Sequence, residues 1–93
     1  MKKIKTAQLK QLVEAAIFVA DAPVSIQQLR DTVLSDFSVA ERTLKTVINE
    51  LTLDYQPRGI QLVKVASGYR FQSVDALSPW LSKLWQGTAP KYS

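Results

Sequence analysis

The chain has neither cysteine nor histidine among its 93 residues. That removes disulfide staples, thiolate nucleophiles and imidazole bases, and with them nearly every zinc or iron site. Glycine is scarce as well. Three glycines leave little room for a phosphate-cradling loop. The eight carboxylates are scattered, and none falls in a calcium loop of the D-x-D-x-D-G type. Asp31 and Asp36 flank a helix end, but no partner base or nucleophile elbow accompanies them, so acid–base catalysis is not expected. No metal or cofactor is expected, and the chain reads as a non-enzyme. Long apolar runs are missing too: the longest, Ala15 to Ala20, is six residues, far short of the roughly 20 that span a bilayer. Met1-Lys2-Lys3-Ile4-Lys5 looks like the basic start of an export signal, but the following TAQLKQLVE is too polar to be its apolar core. The cytoplasm is therefore the expected compartment.

What is present suits one small soluble domain, 46% hydrophobic and 22% charged. The net charge of +4 invites a nucleic-acid reading. Three of the twelve basic residues, however, are Lys2, Lys3 and Lys5, in what reads as a flexible basic tail over residues 1–5. The rest of the chain carries nine basic against eight acidic groups, so the body is close to neutral.

Periodicity then places the elements. Leu9, Leu12, Val13, Ala16, Ile17 and Ala20 recur at three- and four-residue spacing and predict a helix from Thr6 to Ala20. Asp21-Ala22-Pro23 breaks it. Ser25 with Gln28 predicts a capping box for a short second helix, whose buried stripe would be Ile26, Leu29 and Val33. Ser38 with Glu41 predicts another, opening a longer helix to Tyr55 with Leu44, Val47, Ile48, Leu51 and Tyr55 inward. Gln56-Pro57-Arg58-Gly59 stops it. The period then falls to two: Ile60–Ala66 and Tyr69–Val74 predict a hairpin turning at Ser67-Gly68. Ser78-Pro79 would start a closing helix carrying Trp80, Leu81, Leu84 and Trp85, ended by Gly87. The order of helices and hairpin predicts an α+β winged helix-turn-helix: three helices, a two-stranded wing and a closing helix. It would occupy residues 6–87, and residues 88–93 read as a linker stub.

Three segments also carry a family resemblance. EAAIFVADAPVSIQQL (14–29) pairs an apolar helix ending in phenylalanine with a Pro-Val-Ser turn, LxxDY (51–55) ends a third helix, and RGIQLVKVASGYRFQ (58–72) matches a wing. In this order they resemble the segregation and condensation protein B family, over residues 9 to about 85. The resemblance implies a non-enzymatic homodimer that binds the kleisin subunit of a bacterial condensin-like complex. Through kleisin it would meet the chromosome-structuring ATPase, at the nucleoid. The family continues into a second winged helix, toward which the 88–93 stub would lead.

Interface candidates follow from misplaced apolar residues. At 100° per residue Phe18 lies nearly opposite the Leu9/Val13/Ala16/Ala20 stripe, with Ala7, Gln11 and Glu14. It is either an anchor for a second copy or packed under the loop at Pro23 or against the wing. If Ala66 pairs with Tyr69, one face of the wing holds Ile60, Leu62, Ala66, Tyr69 and Phe71, which predicts the core face. The other holds Val63, Val65 and Val74 beside Gln61, Arg70 and Gln72. Those valines are covered either by a partner or by the closing helix with its two tryptophans. The alternative function, a DNA-binding transcriptional regulator, would use Arg42, Lys45, Thr46 and Asn49 on helix three with Lys64 and Arg70 on the wing. Against it stand Glu41, Glu50 and Asp54 on the same helix. Two positive charges are few for a reading helix, so direct DNA contact would be weak.

Overall fold

The computed structural model describes residues 2–85. Three helices come first: α1 (Thr6–Val19), α2 (Ile26–Asp31) and α3 (Glu41–Tyr55). The strands β1 (Ile60–Val65) and β2 (Gly68–Ser73) follow, then α4 (Ser78–Leu81) between 3₁₀ turns at Asp75–Leu77 and Ser82–Trp85. This is the winged helix-turn-helix that the patterning predicts. Gly87 and residues 88–93 lie outside the described residues.

The apolar faces of the helices meet in one core. Leu9, Val13 and Ile17 of α1 pack with Leu29 of α2, with Leu44, Val47, Ile48 and Leu51 of α3, and with Leu62 of β1. Each such side chain gains roughly 1.5–3 kcal/mol from leaving water. Ala20, predicted to extend the α1 stripe, is exposed beyond the helix end.

The capping box of α2 forms as predicted: the Gln28 N–H donates to Ser25 Oγ at 3.0 Å, and the Ser25 N–H donates to Gln28 Oε1 at 2.9 Å. The helix then stops a turn early. Its exit is closed by the Leu34 N–H donating to the Leu29 carbonyl at 2.9 Å, a longer loop than a helical bond. That turn sends Leu34 into the core and leaves Val33 exposed, the reverse of the predicted stripe.

The second predicted box does not form. The Ser38 N–H is spent on the Lys2 carbonyl at 2.9 Å, and the Lys2 N–H donates to the Asp36 carbonyl at 3.0 Å. This Lys2–Phe37 bridge holds the start of the chain, which had read as a loose tail, while Ile4 packs against the core. Helix α3 therefore begins at Glu41, with Ala40 as an N-cap that makes no side-chain bond.

The wing is antiparallel, with Leu62 opposite Phe71, Lys64 opposite Tyr69 and Val65 opposite Gly68. Its two-residue turn is thus Ala66-Ser67 rather than Ser67-Gly68. The register differs from the predicted one by two residues, which leaves every side chain on its predicted face, since side-chain direction repeats every two. Gly68 is needed elsewhere. The N–H and carbonyl of Tyr69 bond those of Val24 at 2.8 and 2.9 Å, drawing the 24–25 backbone across β2. A β carbon on Gly68 would stand 2.4 Å from the Val24 carbonyl carbon, and φ there is 146°. On the core face Leu62 is buried and Tyr69 and Phe71 are half-buried, but Ile60 and Ala66, at the two ends of the hairpin, are exposed.

Candidate functional site

The side of α1 turned from the core meets the end of α3 across an open groove of about 460 Å³. Ala7, Lys10, Gln11 and Glu14 line one wall, and Leu51, Asp54, Tyr55 and Arg58 the other. Its charges are spent on one another. Lys10 Nζ lies 2.8 Å from Asp54 Oδ2 and 3.5 Å from Glu50 Oε1. The Tyr55 hydroxyl donates to Glu14 Oε2, its ring packs on Phe71 at 4.8 Å between centroids, and the Arg58 guanidinium sits 5.3 Å from the ring centre. The hydrogen bond to Glu14, helped by burial, raises the Tyr55 hydroxyl above its ordinary pKa. The bond to Asp54 does the same for Lys10.

Sequence reasoning set Glu14 beside Phe18 but did not see this clasp. Tyr55 lies 41 residues from Glu14, and nothing local announces the pair. Among the described residues no cluster of carboxylates has the makings of a metal site, and no helix is long and apolar enough to cross a membrane.

The apolar candidates separate clearly. Phe18 is 68% exposed and Val19 beside it 73%. The reading that buries Phe18 in the monomer, under the Pro23 loop or against the wing, is therefore overturned: the helix turns that position outward. Val63, Val65 and Val74 are half-buried on and beside the wing. The closing segment does not use Trp80 as their cover, since Trp80 is 64% exposed. Nor does Ser78 cap α4; it is the first helical residue, behind Leu77, and Pro79 holds the first turn. Val19, Trp80 and Leu84 are exposed apolar residues that the sequence reading did not place at the surface.

The DNA candidates lie where predicted, with reduced charge. Arg42, Lys45, Thr46 and Asn49 are exposed on α3, but Lys45 Nζ lies 3.2 Å from Glu41 Oε2 and Leu53 shares their side. On the wing Lys64 is exposed, while the Arg70 guanidinium donates to Gln72 Oε1 at 3.1 and 3.3 Å.

Comparison with known proteins decides what kind of chain this is. Residues 11–93 match the family described as "Segregation and condensation complex subunit ScpB". The chain belongs to the ScpB family. A segregation and condensation protein B homolog from Coxiella burnetii is 37% identical to this ScpB-family chain over 84 residues, 90% of it and 40% of the homolog. The chain thus spans about two-fifths of the length of that curated relative. Among solved structures, a dimer of a ScpB N-terminal domain complexed with a ScpA peptide is 35% identical, with a TM-score of 0.71, covering 92% of this chain and 99% of the other. A conserved hypothetical protein from Chlorobium tepidum is 27% identical, with a TM-score of 0.70, over 85% of this chain and 49% of the other. ScpB from Mycobacterium tuberculosis, 20% identical, shares the fold with a TM-score of 0.78 over 99% of this chain and 57% of the other.

Proposed function

We propose that this chain is a non-enzymatic accessory module of a bacterial condensin-like complex. It dimerises, binds the kleisin subunit, and through kleisin is held to the chromosome-structuring ATPase, in the cytoplasm at the nucleoid. The observation that carries this reading is the likeness, at 35% identity over nearly the whole of both chains, to a ScpB N-terminal domain that is a dimer complexed with a ScpA peptide.

The surface is consistent with a binding role: the ionic groups of the groove pair internally, as structural clasps do. Phe18 is the anchor for the second copy, because a large aromatic at 68% exposure costs solvation in a monomer and gains most when covered. Val63, Val65 and Val74 are the lesser interface candidates, half-covered already by the chain's own fold. The dimer braces the kleisin and so limits how the ATPase heads engage.

The test is sedimentation velocity on the chain and on Phe18→Glu, each with and without a kleisin segment from the same organism. The wild-type chain runs as a dimer and takes up the kleisin segment, and Phe18→Glu runs as a folded monomer. A wild-type chain that neither dimerises nor takes up kleisin overturns the proposal.

A further inference from the structure

The end of the described chain carries an apolar stripe that the fold leaves uncovered. Leu77, Trp80 and Leu84 recur at three- and four-residue spacing along the continuous helical segment from Asp75 to Trp85, and so share one side of it. They are 38, 64 and 76% exposed, while Leu81 and Trp85, a step round the helix, are half-buried toward the protein. The root of the stripe is fixed: a β carbon built on Gly59 would meet Leu77 Cδ1 at 3.6 Å, so Leu77 lies beside the entry to β1. A second exposed apolar patch, Phe18 and Val19, ends α1.

Area decides how these two patches are used. With side chains of about 150–250 Å² each, the stripe offers roughly 350 Å² and the α1 patch roughly 250 Å². Either one meeting its own copy across a two-fold axis would bury about 500–700 Å² in total, below the roughly 1,000 Å² expected of a stable interface. Together they reach about 1,200 Å², which suffices. A two-fold axis also allows unlike patches to meet, provided each contact is made twice.

We infer that the Leu77–Trp80–Leu84 stripe is the second half of the dimer surface, and that the stripe of one copy packs on Phe18 and Val19 of the other. This rests on the dimer reading above and adds the partner of Phe18. The occupant is a second copy of this chain because a relative matched over 99% of its length is itself a dimer, so a segment of this extent suffices to form one there.

Complementation tests the arrangement. Phe18→Glu and Trp80→Glu are each made in the full chain, checked for fold by circular dichroism, and measured by sedimentation equilibrium alone and in equimolar mixture. Both positions are exposed, and Leu84→Ser stands in for Trp80→Glu if that variant fails to fold. Each variant alone has lost both contacts, and its dimer dissociation constant rises at least about thirtyfold, as for an interface hot spot. The mixture regains one of the two contacts, between Phe18 of one chain and Trp80 of the other. At about 600 Å² it associates more weakly than the wild type, but its fitted dissociation constant is at least about tenfold lower than that of either variant alone. A mixture as monomeric as its components overturns the crossed arrangement, since patches that meet themselves gain nothing from mixing. A Trp80→Glu chain that dimerises like the wild type overturns the stripe's role while leaving the dimer reading standing. A wild-type chain that stays monomeric overturns the dimer reading itself.

Discussion

Replacing Gly68 by alanine should be among the most damaging single-methyl changes in this domain. The added carbon would stand 2.4 Å from the Val24 carbonyl carbon, 2.5 Å from its oxygen and 2.7 Å from the Ser25 nitrogen. These are backbone atoms and cannot rotate away. The glycine also sits at φ 146°, a region nearly closed to residues with a β carbon, which adds about 1–3 kcal/mol of strain. Relief requires Val24 to back off from β2, breaking the two Val24–Tyr69 hydrogen bonds at about 1 kcal/mol each. The expected loss is about 3–5 kcal/mol, against a total stability of roughly 5–10 kcal/mol for a domain of this size. Gly59→Ala is the matched control, since its nearest new neighbour is Leu77 Cδ1 at 3.6 Å, an ordinary contact. In urea unfolding followed by circular dichroism, Gly68→Ala should lower the midpoint by about 2–5 M at a slope near 1–1.5 kcal/mol/M. Gly59→Ala should move it by less than about 0.5 M. Equal midpoints for the two variants would refute the close-approach argument.

Other consequences are as direct. Leu44 is fully buried in the first turn of α3, and Leu44→Ala should cost about 2–5 kcal/mol and leave the domain partly unfolded at 37 °C by thermal melting. Tyr55 and Lys10 both have pKa values raised above their ordinary 10.0 and 10.5. Their stabilising contribution is complete below those values and is lost as pH climbs through the raised ones. Melting temperatures should therefore fall above about pH 10, and less steeply for Tyr55→Phe than for the wild type; parallel curves would show that the Glu14 clasp carries none of the effect. Arg42→Ala and Lys45→Ala should leave duplex DNA binding unchanged in a fluorescence titration, because Glu41 already offsets Lys45. A marked loss in both, steepening at low salt, would revive the DNA-binding regulator.

The fold was legible because its signals are local. The α1 and α3 stripes, the Ser25–Gln28 box and the switch of period at Gly59 are all short-range patterns, and each reports an element found in the structure. Two of the failures came from a distant group that changed the local balance: the Ser38 box gave way to a backbone bond with Lys2, and Gly68 proved to serve the Val24 crossing rather than the hairpin turn. The third was local: the exit turn of α2, closed by the Leu34 N–H on the Leu29 carbonyl, brought Leu34 inward in place of Val33. Helix geometry alone set Phe18 opposite the α1 stripe, but left open whether the Pro23 loop or the wing covers it. The exposure of Trp80 and Leu84 did not, since a helical stripe reads the same whether it covers a sheet or stands in water. The Glu14–Tyr55 and Lys10–Asp54 contacts join residues about forty apart, and only tertiary structure brings them together.

The most direct test of the central claim is the solution mass of this chain, by light scattering over a wide concentration range at moderate salt, with and without a kleisin segment. The account predicts a mass of two chains, increased by the bound kleisin segment when it is added. A mass of one chain at every concentration, unchanged by kleisin, would contradict it.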